Sequence, residues 1–227
     1  MATPAGNVVY RNLANVTSIL GVLPMAFLFM EDGYRFLIPF LLFNNVMDDL
    51  DGVLARKLKI RSLLGANLDN VCDTVVHVTV ILVICARHEG FVLGAGMIAA
   101  TAIIIRLTSR LDPTASKGNG SPTNELIRHV IFVLLLTTHF DVSPGIYLII
   151  LSVLHTISML APFKMLFLIR GMAHSVTSVA LVNVALIIAW LVPILSPVIA
   201  AAFFATYLYS LAVGVYRWRQ REKLPAN

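Results

Sequence analysis

Charge is what this chain has least of. Of its 227 residues only 13% are charged, while 58% are hydrophobic. A soluble domain carries about one quarter charged residues, so the composition excludes a water-soluble globule and predicts a polytopic membrane protein filled by one domain. Cysteine is nearly absent as well. Cys72 and Cys85 are the two present, and both fall in one predicted helix, ~20 Å apart at 1.5 Å rise per residue. That separation excludes a disulfide between them within the helix, and small buried filler is the expected role for Cys72. No internal repeat or low-complexity tract stands out, and no cleavable signal is visible, because the first residues are polar and lead straight into a hydrophobic span. The net charge of +5 does not point to nucleic acid. In a membrane protein, basic loops set topology and meet anionic lipid headgroups.

Acidic residues number only twelve, and five of them crowd into one stretch. It runs Asp48-Asp49-Leu50-Asp51-Gly52-Val53-Leu54-Ala55-Arg56, then eight residues, then Gly65-Ala66-Asn67-Leu68-Asp69-Asn70-Val71-Cys72-Asp73. Hydrocarbon side chains flank it at 36–43 and 75–84. An ionised carboxylate in such surroundings is costly unless compensated, so the stretch reads as a functional site. Asp48 and Asp51 are three apart, and Asp69 and Asp73 four apart, which puts each pair on one helix face. Two helices offering two carboxylates each can meet around divalent cations, without which the like charges would repel and take up protons. Hard oxygen ligands suit Mg2+ or Mn2+, and a two-metal clamp suits phosphoryl transfer. Gly52 and Gly65 leave room for a flat base or a phosphate to approach the backbone. Arg56, one turn past Gly52, offers a planar fork to phosphate oxygens. Asp49 points about 100° away from Asp48 and is expected to be solvated or to cap a helix.

The pattern D-x2-D-G-x2-A-R-x8-G-x3-D-x3-D resembles the signature of the CDP-alcohol phosphotransferase (phosphatidyltransferase) family. Asp48, Asp51, Gly52, Ala55, Arg56, Gly65, Asp69 and Asp73 occupy its eight fixed positions. The resemblance implies that Asp48, Asp51, Asp69 and Asp73 hold two divalent cations, that Asp73 is the general base, and that Gly52, Ala55, Arg56 and Gly65 bind the CDP moiety. Asn12 to Thr17 is similar to the family's Asn-containing entry to the first helix, which adds Asn15 to the CDP-binding set; helix capping explains the Asn and Thr as well. The reaction implied is transfer of a phosphatidyl group from CDP-diacylglycerol to a small alcohol with release of CMP, a step of phospholipid biosynthesis by a transferase of substituted phosphate groups. Homodimerisation is expected from the family.

Hydropathy predicts an all-α transmembrane bundle of about eight spans, near residues 13–30, 34–58, 63–87, 91–111, 125–140, 145–163, 172–193 and 197–217. Residues 1–11 form a polar N-terminal segment and 218–227 a basic tail. With cytoplasmic termini, eight spans leave only Arg35 and Arg87 outside among the seventeen Lys and Arg residues, a strong positive-inside bias. The aspartates then face the cytoplasm from an inner (plasma) membrane. The loop 112–124, rich in Pro and Gly, reads either as a flexible connector or as a lid over the pyrophosphate or acceptor. His77, one turn after Asp73, reads as a hydrogen-bonded core histidine in preference to a group that reaches a metal shell or the acceptor. His129 and His155 show no metal-ligand spacing. Tyr207, Tyr209, Tyr216 and Trp218 are expected to form an interfacial belt.

The acceptor is read from weaker signals. Met159 to Lys164 with its proline, the two helices after it and the span count resemble the integral-membrane phosphatidylserine synthases, which favours serine. Asn70 and Val76-His77-Val78 depart from that subgroup, which usually carries Ser and then a Ser-Phe-Gly run. Arg106, Arg110, Lys117 and Arg128 offer a cationic pocket for an acceptor or phosphate, which keeps glycerol 3-phosphate and inositol phosphate open. An ion-coupled transporter is the alternative of a different class, since intramembrane aspartates occur there too. A transporter does not need the Gly52, Ala55, Arg56 and Gly65 positions.

Overall fold

The computed structural model describes residues 10, 12–88, 90–112, 119–165 and 176–222, and the regular elements among them are all helical. They comprise eight α-helices: α1 Leu13–Val22, α2 Leu37–Lys57, α3 Leu63–Cys85, α4 Phe91–Leu111, α5 Thr123–His139, α6 Gly145–Met159, α7 Val176–Leu191 and α8 Ser196–Glu222. The all-α expectation holds. Lys117, the N-terminal residues 1–9 and the end of the basic tail lie outside the described residues.

Where prediction and structure differ, the backbone chemistry explains it. The first predicted span is not one α-helix: α1 stops at Val22 and the chain continues as 3-10 turns over Leu23–Phe29. Pro24 has no N–H to give the Leu20 carbonyl, and its ring crowds that turn. Another 3-10 turn, Gly33–Phe36, delays the start of α2 to Leu37. The fifth and sixth spans are separate helices, divided at Asp141, whose φ of 52° is a left-handed conformation that Asp tolerates.

α5 sits in the middle of the bundle. Every residue from Gly120 to Val133 is buried, and the helix packs against α2, α3, α6, α7 and α8. α1 lies against both α2 and α3, and α4 lies between α3 and α6. Leu41, Ile81, Ile103, Leu126, Phe132, Leu148 and Leu186 form the interior. The outside is apolar too: Leu63, Phe91, Ile194 and Val198 are 70% to 90% exposed, as a lipid-facing surface requires. Leu63–Cys85, Phe91–Leu111 and Pro193–Arg221 are long and apolar enough to cross a membrane. α2 is of similar length but carries three aspartates, Arg56 and Lys57.

A helix as buried as α5 must satisfy its polar groups inside the bundle. His129 Nδ1 stands 2.9 Å from His155 Nε2 of α6. His129 stacks on Phe204 and His155 on Tyr207, both of α8, and Ser158 Oγ and the Tyr207 hydroxyl are 2.5 Å apart. Tyr207 is thus an interior residue, 4% exposed, and not part of an interfacial belt; Tyr209 and Tyr216 are exposed. The chain entering α5 is fastened as well. Gly120 N–H donates to the Phe163 carbonyl at 2.8 Å and Ser121 N–H to the Ser158 carbonyl at 2.8 Å. Gly120 has φ +67°, and a Cβ there would lie 2.2 Å from the Met159 carbonyl oxygen, so only glycine fits. The end of the predicted loop is therefore docked on the C-terminus of α6, while 113–118 lie outside the described residues.

Candidate active site

The turn between α2 and α3 builds the site. Lys59, at φ 55°, donates to the Arg56 carbonyl, and Ile60 N–H reaches back to the Ala55 carbonyl at 3.2 Å, the two bonds of a Schellman closure. Ser62 then caps α3, its Oγ accepting from Gly65 N–H at 2.9 Å. Asp51 lies six residues before the last residue of α2, and Asp69 six after the first of α3. A tight reversal therefore brings them to the same depth, about 9 Å from the turn on each side. One carboxylate oxygen from each of Asp48, Asp51 and Asp69 lies within 4.8 Å of the others. Asp73 is one turn deeper on α3, buried, and outside that group of three.

Side chains of two neighbouring helices donate to this cluster. The Ser18 hydroxyl of α1 donates to Asp51 Oδ2, and Asn124 Nδ2 of α5 donates to Asp48 Oδ2 at 3.0 Å. An oxygen-only donor set crowded in this way fits a hard divalent cation such as Mg2+ or Mn2+. Asp48, Asp51 and Asp69 are the residues that would hold it.

Beside the aspartates lies a cavity of about 290 Å³, close to the lower end of small-ligand pockets at roughly 300 Å³. Asn15, Gly52, Ala55, Arg56 and Gly65 all line it, together with Asp51 and Asp69, so the five positions expected to bind CDP converge on one space. A Cβ on Gly65 would stand 2.9 Å from Asn15 Oδ1 and 3.1 Å from Ser62 Oγ. A Cβ on Gly52 would meet Arg56 Nη1 at 3.4 Å, which shows the guanidinium lying back over the glycine. Ser18, Arg61 and Ser62 also line the cavity and were missed. Ser18 carried a signal, being three residues after Asn15 and hence on its face of α1.

Of the basic residues assigned to an acceptor, Lys117 lies outside the described residues, and Arg106, Arg110 and Arg128 each have different partners. Arg106 is turned onto backbone carbonyls, donating to Asn119 at 2.7 Å and Met159 at 3.0 Å; it ties the α5 entry to α6. Arg110 donates to Asn70 Oδ1 at 2.9 Å. Arg128 forms a buried pair with Glu125 at 3.1 Å and reaches Asn45 Oδ1 at 3.3 Å. Asn183 of α7 links Asn45 and Asp49, at 2.6 Å in each case. Asp49 is therefore a half-buried acid bonded across helices and not a cap. The lone Asn183 in an otherwise apolar run was the available signal.

An all-helical chain with an apolar exterior, a carboxylate cluster and an adjoining polar cavity is, as a class, an integral membrane protein equipped to hold a cation beside a polar ligand. The family model for CDP-alcohol phosphatidyltransferase matches residues 11–158, and the chain belongs to that family. It is thus a transferase of phosphatidyl groups from a CDP-alcohol to an alcohol acceptor, in a family that depends on divalent metal and serves phospholipid biosynthesis. The transporter reading is set aside. A search of curated proteins gives no match. The matched region ends at Ser158, near the end of α6, so Asn183, which bonds Asp49, and Tyr207, which meets Ser158, lie beyond it.

Proposed function

We propose that the protein transfers the phosphatidyl group of CDP-diacylglycerol to a small alcohol, releasing CMP, with serine as the favoured acceptor. The observation that carries this is the cavity of about 290 Å³ whose wall is shared by Asp51, Asp69 and all five expected CDP-binding residues. Asn15, Gly52, Ala55, Arg56 and Gly65 receive CDP, with Arg56 offering its fork to the phosphate oxygens. Asp48, Asp51, Asp69 and Asp73 would hold two divalent cations, whose positive charge would offset that of the phosphate oxygens and of the departing CMP. Asp73 takes the proton from the acceptor hydroxyl as that oxygen attacks the lipid-side phosphorus. Arg110 and Arg128 face the acceptor; Arg106 supports the fold around them. Lys117 is assigned to the same side as a phosphate contact.

The residues 1–227 act as one membrane domain of eight spans, with both termini and the nucleotide cavity on the cytoplasmic face of the inner membrane, and the enzyme works as a homodimer. A diacyl substrate enters between helices while the soluble acceptor arrives from the aqueous mouth. CMP release from CDP-diacylglycerol with Mn2+ tests the reading, against serine, glycerol 3-phosphate, inositol, inositol phosphate and choline. Release that one acceptor stimulates and a chelator abolishes supports it. Failure of every acceptor in the panel to give chelator-sensitive release, while the CDP-lipid still binds, overturns it.

A further inference from the structure

The end of the bundle away from the aspartates holds a second cavity, of about 560 Å³, within the range of small-ligand pockets. Three separate connections build it. Arg35 lies in the 3-10 turn before α2, Arg87 just past the end of α3, and Asp141 in the turn between α5 and α6. Along α2 the helix from Leu37 to Asp51 spans about 21 Å, and along α3 that from Asp69 to Cys85 about 24 Å. In a bundle that crosses a hydrocarbon core of about 30 Å, the cavity therefore sits at headgroup depth in the leaflet opposite the aspartates. Each of its guanidiniums lies over a ring: Arg35 Cζ is 4.7 Å from the Phe36 centroid and Arg87 Cζ 3.8 Å from that of Tyr34. Stacking occupies the face of the fork and leaves its N–H edge to donate. Among the described residues neither guanidinium has a hydrogen bond, or a carboxylate within 4.0 Å.

The lining selects among ligands. Two guanidiniums against the one carboxylate of Asp141 favour an anion, and the exposed acids Glu31 and Asp32 are not part of the wall. Phosphate oxygens match forked donors in a way that a single-point acceptor does not. Leu37, Ile38, Leu134 and Val142 give the same wall an apolar side. A free phosphate would leave that side wet, whereas a glycerol backbone and the first acyl carbons would cover it. We propose that this cavity holds the phosphodiester of a phospholipid from the leaflet opposite the aspartates, with Arg35 and Arg87 donating to its oxygens. Such a lipid is neither the CDP-linked donor nor the acceptor. It fastens the start of α2, the end of α3 and the α5–α6 turn to one another from outside the reaction. The inference uses the transmembrane placement of the bundle and not its chemistry.

The test titrates purified full-length protein in dodecyl maltoside with phosphatidylglycerol and follows the melting temperature, which a ligand of the folded state raises. Arg35→Gln together with Arg87→Gln moves the midpoint of that titration up about 10-fold or more, the worth of one charge-assisted hydrogen bond. Asp141→Asn removes the opposing charge at a φ of 52° that Asn also tolerates, and it lowers the midpoint about twofold. Should the double variant not fold, Arg87→Gln alone and Asp141→Asn carry the test, since they must shift the midpoint in opposite directions. Diacylglycerol with the same chains lacks the phosphate, and inorganic phosphate lacks the chains; neither reproduces the rise. Equal midpoints in wild type and the double variant overturn the site. A midpoint that Asp141→Asn leaves unchanged or raises overturns the charge argument. A rise with diacylglycerol equal to that with phosphatidylglycerol overturns the role of the phosphate. A rise with inorganic phosphate alone, absent from the double variant, makes the occupant a free anion and overturns the lipid. None of these readouts depends on turnover, so a failure of the transferase reading would be seen separately.

Discussion

At the scale of single residues, two glycines and one aspartate separate binding from chemistry. A Cβ at Gly65 comes within 2.9 Å of Asn15 Oδ1 and 3.1 Å of Ser62 Oγ, so Gly65→Ala must push a cavity residue and a capping residue together. The expected outcome is a rise of about tenfold or more in the CDP-diacylglycerol KM, ~1.4 kcal/mol of binding, with a lowered melting temperature. Gly52→Ala meets only the flexible end of Arg56, at 3.4 Å. It should raise the same KM with an unchanged melting temperature, because the added methyl occupies the cavity and displaces Arg56 without disturbing backbone. Equal kcat/KM in wild type and Gly52→Ala would remove that glycine from the binding surface. Asp73→Asn keeps the shape of a buried side chain and removes the proposed base. Loss of a positioned general base costs about 10²- to 10⁴-fold in rate, so CMP release should fall by that factor while CDP-diacylglycerol is still bound, as calorimetry or protection from thermal unfolding would report.

At the scale of elements, the site depends on how two helices end and begin. Lys59 occupies a left-handed position that costs an L-residue about 1–2 kcal/mol, and the Schellman bonds around it hold the turn. Lys59→Gly should therefore stabilise the protein by about 1 kcal/mol in denaturant unfolding in detergent. Ser62→Ala should cost about 1 kcal/mol by removing the α3 cap, and a larger share of its effect should fall on the CDP-diacylglycerol KM because Ser62 also lines the cavity. These features explain what was legible. Apolar runs and aspartate spacing are local, so the positions of α2 to α6 and the pairing of carboxylate faces could be read directly. The break at Val22 was legible in principle from Pro24. What hydropathy does not register is that a proline within an apolar run changes the helix type without ending the run.

For the molecule as a whole, what escaped the sequence were the long-range partners. Asn45 meets Asn183 across 138 positions and Asp49 meets it across 134, while Ser158 and Tyr207 are 49 apart. None of these pairs can be chosen before it is known which helices surround α5. The same arrangement divides the bundle into two ends. Arg56, Arg61 and the aspartates border one cavity, with the end of α4, the start of α5 and the end of α6 joined nearby by Arg106. Tyr34, Arg35, Arg87, His88, Thr138 and Asp141 gather around another, of about 560 Å³. Arg35 and Arg87 are the two basic residues that eight spans with cytoplasmic termini leave outside, so their meeting at the end away from the aspartates is what that topology requires. Labelling decides it. In a chain with Cys72→Ala and Cys85→Ala, Arg61→Cys should react with a membrane-impermeant maleimide only after the inner face is opened. Phe140→Cys, at a position 58% exposed, should react in intact cells. The reverse pattern would put the aspartates on the outer face, where neither cytoplasmic CDP-linked lipid nor positive-inside insertion would account for the protein. Labelling of both positions from one side would instead show that the α5–α6 hairpin does not cross the bilayer, and the count of eight spans would fall to six.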